Sequence, residues 1–276
     1  MVGAAVTGPA ARRWADALES WAIPEEILAR APESPWSFPP ALFARVAARA
    51  VAAPMATPSR RRAIEALPAG GVVLDIGVGG GAASLPLAPP AGLLVGVDQS
   101  PDMLAGFAQA AADRGVDHEE VQGSWPDVAP GVGPADVVVC HHVAYNVADL
   151  VPFVEALRAH ARRRVVLELT ARHPQSSSNP LWREIHDIER PTSPTAADAV
   201  AVLEEMGLEV TVEPFERTVP EGDEELADVL PFVRRQLCVG PDRDAEIEAL
   251  LRRHGRAHLR HAVTLWWDVG AWRQRV

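Results

Sequence analysis

Three glycines and two carboxylates supply the first chemistry in this sequence. Gly77, Gly79 and Gly81 follow directly on an apolar run in VVLDIGVGGGAAS, residues 72–84. Glycine tolerates backbone angles that other residues resist, so a ligand can lie against bare peptide at such a turn. Roughly twenty residues on, a second apolar run ends in Asp98, placed where a carboxylate accepts hydrogen bonds from ribose hydroxyls. Gly77, Gly79 and Ala82 also satisfy the G-x-G-x-x-A spacing of a dinucleotide site, so two ligand classes are open. Asp75, just ahead of the first glycine, separates them. A carboxylate beside the loop repels a pyrophosphate and favours a nucleoside carrying cationic groups.

A second polar cluster, Cys140-His141-His142-Val143-Ala144-Tyr145-Asn146, closes the run ADVVVC and contains the only tyrosine of the chain. Imidazole titrates near neutral pH and can take a proton from a hydroxyl or amine. The expectation is that main chain around Cys140 and His141 touches the nucleoside ligand, while His142 or Tyr145 faces a second substrate. Trp182 and His186 share one helical face in NPLWREIHDIER, a segment placed to roof that substrate; plain packing is the competing account. His254, His258 and His261 also share a face, but they sit among arginines with no carboxylate or cysteine to complete a ligand set. That face is expected to be solvated and metal-free.

Short β-rich runs alternating with helices must position these groups. Strands are expected at VVLDI, LLVGV, around His118–Val121, at ADVVVC, VVLEL, LEVTVEPFE and AVTLWWDV. Helices fall between them, and the glycine loop is expected to open one. Thr57-Pro58 and Ser100-Pro101 read as helix starts, each with a capping hydroxyl and proline in the first turn. This alternation predicts parallel βαβ units with right-handed crossovers. Residues 1–56, helical and proline-punctuated, read as a lid; residues 57–276 form the main domain, with a helical insertion at 179–190. Trp266 and Trp267 must face opposite sides of the last strand.

D-I-G-V-G-G-G followed by V-G-V-D-Q-S-P-D-M-L resembles the first two motifs of the class I S-adenosylmethionine-dependent methyltransferases. The resemblance is good over about residues 57–170 and says little before them. It implies an α/β, doubly wound, mostly parallel seven-stranded sheet with an antiparallel final strand and helices on both faces. It implies S-adenosylmethionine as cofactor, with Asp75 and Gly77 near its methionine end and Gly79 and Gly81 in the binding loop. Asp98 would hold the ribose hydroxyls, and Gln99 and Met103 would flank the adenine. After the third strand many relatives carry an acidic residue toward the adenine amine; here Ser124 stands there, followed by Trp125, which could stack on the base.

Bulk properties narrow the acceptor. The formal net charge is −11, and all 26 basic residues are arginine without a clustered basic face. A nucleic-acid acceptor needs clustered cations, and no Asn-Pro-Pro-Tyr-type motif follows the fourth strand. A small-molecule acceptor is the leading expectation, with a nicotinamide-dependent oxidoreductase or a non-catalytic S-adenosylmethionine-binding domain as alternatives. Two distant cysteines, no signal-like N-terminus and no membrane-length apolar stretch point to a cytoplasmic protein. Oligomeric state is left open.

Overall fold

The structure is a computed structural model that describes residues 8–35, 40–52, 54, 56–218, 223–254 and 259–270. Seven strands form one sheet: β1 (Gly71–Ile76), β2 (Ala91–Asp98), β3 (Asp117–Gln122), β4 (Ala135–His141), β5 (Ala161–Thr170), β6 (Thr211–Thr218) and β7 (Leu259–Asp268). Their spatial order is β3-β2-β1-β4-β5-β7-β6. The first five are parallel neighbours, and β7 runs antiparallel between β5 and β6. The central strands are buried on both faces, which is why they read as near-continuous apolar runs. The order reverses between β1 and β4, and a ligand crevice forms at the carboxyl edge of such a switch point.

The helices are α1 (Pro9–Glu19), α2 (Glu25–Leu28), α3 (Pro40–Ala52), α4 (Pro58–Ala66), α5 (Pro101–Ala112), α6 (Leu150–His160), α7 (Asn179–His186), α8 (Ala196–Glu205), α9 (Asp223–Gln236) and α10 (Asp244–His254). Both expected caps form. The Thr57 hydroxyl accepts the Arg60 N–H at 3.2 Å, and the Ser100 hydroxyl accepts the Met103 N–H at 3.3 Å.

One expectation needs correcting. No α-helix follows the glycine loop: residues 77–84 run through turns into one short 3-10 turn, Leu85–Leu87. Pro86, Pro89 and Pro90 lack the N–H groups a helix there would use. Within residues 1–56, α1 packs on the main core. Trp14 of α1 is fully buried in the main core, donates its indole N–H to Val147 O at 2.8 Å and stacks on Tyr145. The Glu205 carboxylate takes the first N–H groups of α1, at Ala10 and Ala11.

A small separate core is assembled from three parts of the chain. Ile23 with the α2 side chains Ile27 and Leu28, Leu181 and Trp182 of α7, Val233 and Leu237 of the α9 end, and Ile247 and Leu250 of α10 make it up. That core contains no sheet residue, and α7, α9 and α10 all lie in segments leaving the carboxyl ends of β5 and β6.

Candidate active site

The glycine loop is sewn to β2. Gly77 and Val78 donate their N–H groups to Val97 O at 2.8 and 3.0 Å, and Gly79 donates to Asp98 Oδ2 at 3.0 Å. Gly77, Gly79 and Gly81 have φ of +72°, +51° and +84°, the left-handed region that glycine enters without a Cβ penalty. A Cβ on Gly77 would lie 2.3 Å from Val143 Cγ2, so the loop and the end of β4 meet there without room for a side chain. With these amides spent internally and no helix N-terminus behind them, the loop is poorly equipped to hold a pyrophosphate.

Asp98, half-buried, also accepts the Ser100 N–H at 2.9 Å through Oδ1, and its two oxygens retain lone pairs for ribose hydroxyls. Gly123 donates to Asp98 O at 2.9 Å, which sets Ser124 beside the tip of β2. Gln99 is exposed next to Asp98, and Met103 is buried in the first turn of α5. Asp75 is buried under the loop rather than open beside it, accepting the Ser84 hydroxyl at 2.6 Å. Burial pushes its carboxyl up to about 7, with the Asp98 charge adding to the effect. A cation settling over this pair would favour the ionised form, so the residues fit a sulfonium ligand.

Cys140 is buried in the core, and burial pushes its thiol well above the usual range. Only its main chain is available to a ligand. His141 and His142 meet Glu168, which pairs with His141 across β4 and β5. Glu168 is 2% exposed. Its Oε1 accepts from Arg217 Nη1 at 2.9 Å and lies 3.2 Å from His142 Nε2; its Oε2 accepts the Ser59 hydroxyl from α4. Burial works to raise the Glu168 carboxyl, but the two imidazoles and the guanidinium outweigh it and hold it far below the usual carboxylate range. His141, at 3.9 Å from Oε2, makes no hydrogen bond to it. Burial lowers the His141 imidazole to about 4, and its buried Nε2 has no hydrogen-bond partner among the described residues. His142 adopts φ +61°, unusual for a residue with a Cβ and typical of functional turns.

Glu168, Arg217 and Ser59 were absent from the expected set. Glu168 left one signal, a charge inside the apolar run VVLEL. Arg217 and Ser59 left none, because their proximity depends on strand order and helix packing.

Three expected residues are placed elsewhere. Tyr145 donates its hydroxyl to Thr170 O at 2.8 Å and is buried against Trp14, and burial pushes its phenol up; it anchors α1, with its proton committed to a backbone carbonyl. His186 Nε2 lies 2.7 Å from Leu237 O and ties α7 to the end of α9. Trp125 is a core side chain that donates to Phe153 O at 3.3 Å and meets His160 edge-on. It fills space beside a crossover holding only one 3-10 turn, Ala129–Gly131, so it is not a stacking platform for adenine. Among the other histidines, His254 lies 2.6 Å from Glu184 and His261 lies 3.5 Å from Glu216, whereas His258 lies outside the described residues.

Residues 73–164 match the model of the methyltransferase domain family. The fold is shared with YcgJ of Bacillus subtilis, at 18% identity, TM-score 0.53, 76% of this chain and 97% of that one. It is shared equally with a candidate methyltransferase of Bacillus halodurans, at 18% identity, TM-score 0.53, and 76% and 96% coverage. A candidate sarcosine dimethylglycine methyltransferase of Galdieria sulphuraria aligns at 14% identity, TM-score 0.51, and 76% and 82% coverage. No curated protein matches the chain in sequence. Residues 73–164 thus carry a methyltransferase domain on a shared fold, and S-adenosylmethionine is the methyl donor such a domain takes. The nicotinamide alternative is set aside. Among the described residues no helix is long and apolar enough to cross a membrane.

Proposed function

We propose that this enzyme methylates a hydroxyl or amine of a small molecule held between the carboxyl edge of β4 and β5 and the cap of α2, α7, α9 and α10. The observation that carries this reading is the ionised Glu168 with His142 and Arg217 around it at the edge of the sheet. The bound donor supplies an activated methyl group on sulfur. Loop glycines 77, 79 and 81 receive its methionine end, Asp98 its ribose, and Ser124 is placed toward the adenine edge. The main chain at Cys140 and His141 lines the path between donor and acceptor.

Transfer to a neutral hydroxyl or amine forms a carbon–oxygen or carbon–nitrogen bond, breaks the sulfur–methyl bond and frees one proton. His142, whose side chain is 39% exposed, takes that proton and becomes an imidazolium facing the Glu168 carboxylate. The net charge of −11 supports a small acceptor over a nucleic-acid one. Radiolabelled S-adenosylmethionine offered with pooled hydroxyl and amine metabolites, total RNA and unfolded protein in separate reactions tests the reading. Label is expected in the small-molecule reaction; label confined to RNA or protein overturns it.

A further inference from the structure

We infer that the side chain of His141 is the specificity contact for the amino-acid end of the methyl donor, its Nε2 accepting from the donor's α-ammonium group. The inference rests on the placement of that end against the glycine loop, and it names the side chain that reads it. His141 Nε2 is buried and has no hydrogen-bond partner among the described residues. Burying such a nitrogen costs free energy until a further group completes it. Burial also disfavours the imidazolium, lowering the ring to about 4, which keeps an accepting nitrogen available.

The sheet brings this residue to the loop. β1 and β4 pair as far as Asp75 and Val139, and both chains run on by two residues, to Gly77 and His141. Strand alternation puts Asp75, Val139 and His141 on one face, and Glu168 joins them through its pairing with His141. His141 therefore has a carboxyl group one strand away on either side, Asp75 of β1 and Glu168 of β5. Glu168 Oε2 lies 3.9 Å from the ring's Nδ1. Arg217, the guanidinium facing this corner, is already bonded to Glu168 Oε1 at 2.9 Å. The methionine end of the donor carries one ammonium and one carboxylate. Between two carboxyl groups the ammonium is attracted and the carboxylate repelled. An ammonium donating to an imidazole nitrogen makes a charge-assisted bond.

Calorimetry on the full chain with three ligands tests this without any acceptor: S-adenosylhomocysteine, its deamino analogue and its decarboxylated analogue. His141→Phe keeps the bulk of a ring and removes both nitrogens. It should weaken S-adenosylhomocysteine and the decarboxylated analogue by about tenfold or more, the worth of a hydrogen bond to a charged group, and leave the deamino analogue within about twofold. Equal weakening of all three, which plain packing would give, overturns the inference. So does no weakening, or a loss confined to the two ligands that carry the carboxylate. Magnetic resonance of isotope-labelled histidine nitrogens gives a second readout, with His141 assigned by its disappearance in His141→Gln. Its ring signal should move further with S-adenosylhomocysteine than with the deamino analogue; equal displacement overturns the inference even if the phenylalanine variant does not fold. Failure of the donor placement reads differently: Gly77→Ala would then bind S-adenosylhomocysteine as tightly as wild type, and the inference would fall with it.

Discussion

His142 donates its main-chain N–H to Glu168 O at 2.7 Å, and its ring Nε2, 3.2 Å from Glu168 Oε1, accepts from Arg217 Nη1 at 3.3 Å. Glu168 of β5 therefore sets the backbone turn at the end of β4. If that ring is the base, His142→Ala should lower turnover by about 10²–10⁴-fold. S-adenosylhomocysteine affinity should stay unchanged. Steady-state rates and calorimetry on the same variant check both halves, and normal turnover would exclude His142 as base.

Asp98→Ala removes the proposed ribose acceptor and the carboxylate that receives the Gly79 and Ser100 N–H groups. Hydrogen bonds to a charged group are worth about 1.5–3 kcal/mol, so donor affinity should fall roughly 10–100-fold. Calorimetry with S-adenosylhomocysteine reads this directly. An unchanged dissociation constant takes Asp98 out of the site.

Gly77→Ala is expected to abolish donor binding, because its Cβ would sit 2.3 Å from Val143 Cγ2 at a φ of +72°. Adding Val143→Ala relieves the contact but leaves a left-handed strain of about 1–2 kcal/mol, so rescue should be partial. Full binding by the single variant would show that the loop does not need that conformation.

Asp75 provides a pH signature. Its carboxyl is raised to about 7, chiefly by burial, so the ionised form is disfavoured until pH passes that value. A sulfonium binds the ionised form better. The preference for S-adenosylmethionine over its neutral thioether product should therefore grow as pH rises through about 7 and flatten above it. Asp75→Asn should remove the trend. A ratio of affinities independent of pH in the wild-type protein would place the sulfonium away from Asp75.

Trp14→Ala tests whether α1 belongs to the core. The side chain is fully buried, bonded to Val147 O and stacked on Tyr145. Its loss should cost about 3–5 kcal/mol, read as a lower urea midpoint. A change near zero would mean that α1 docks without stabilising the sheet.

Local pattern made the glycine loop and the helix starts legible. The spacing of Gly77, Gly79 and Gly81 after an apolar run, Asp98 at the end of the next, and the caps at Thr57 and Ser100 all act over a few residues. The alternation of strands and helices likewise carried the seven-stranded sheet, since burial on both faces writes itself into each run. Trp266 and Trp267 do lie on opposite faces, Trp267 in the main core and Trp266 under Arg164 with its indole N–H on Glu213.

The acceptor side was decided by tertiary structure. Tyr145 and His186 have the right chemistry in isolation, but packing turned each toward a backbone carbonyl, Thr170 and Leu237; on the donor side, Trp125 turned likewise toward Phe153. Glu168, Arg217 and Ser59 come from β5, β6 and α4, and β7 lies between two of those strands. No spacing along the chain encodes such a meeting; it arises only when the sheet order closes and a buried carboxylate must find its partners.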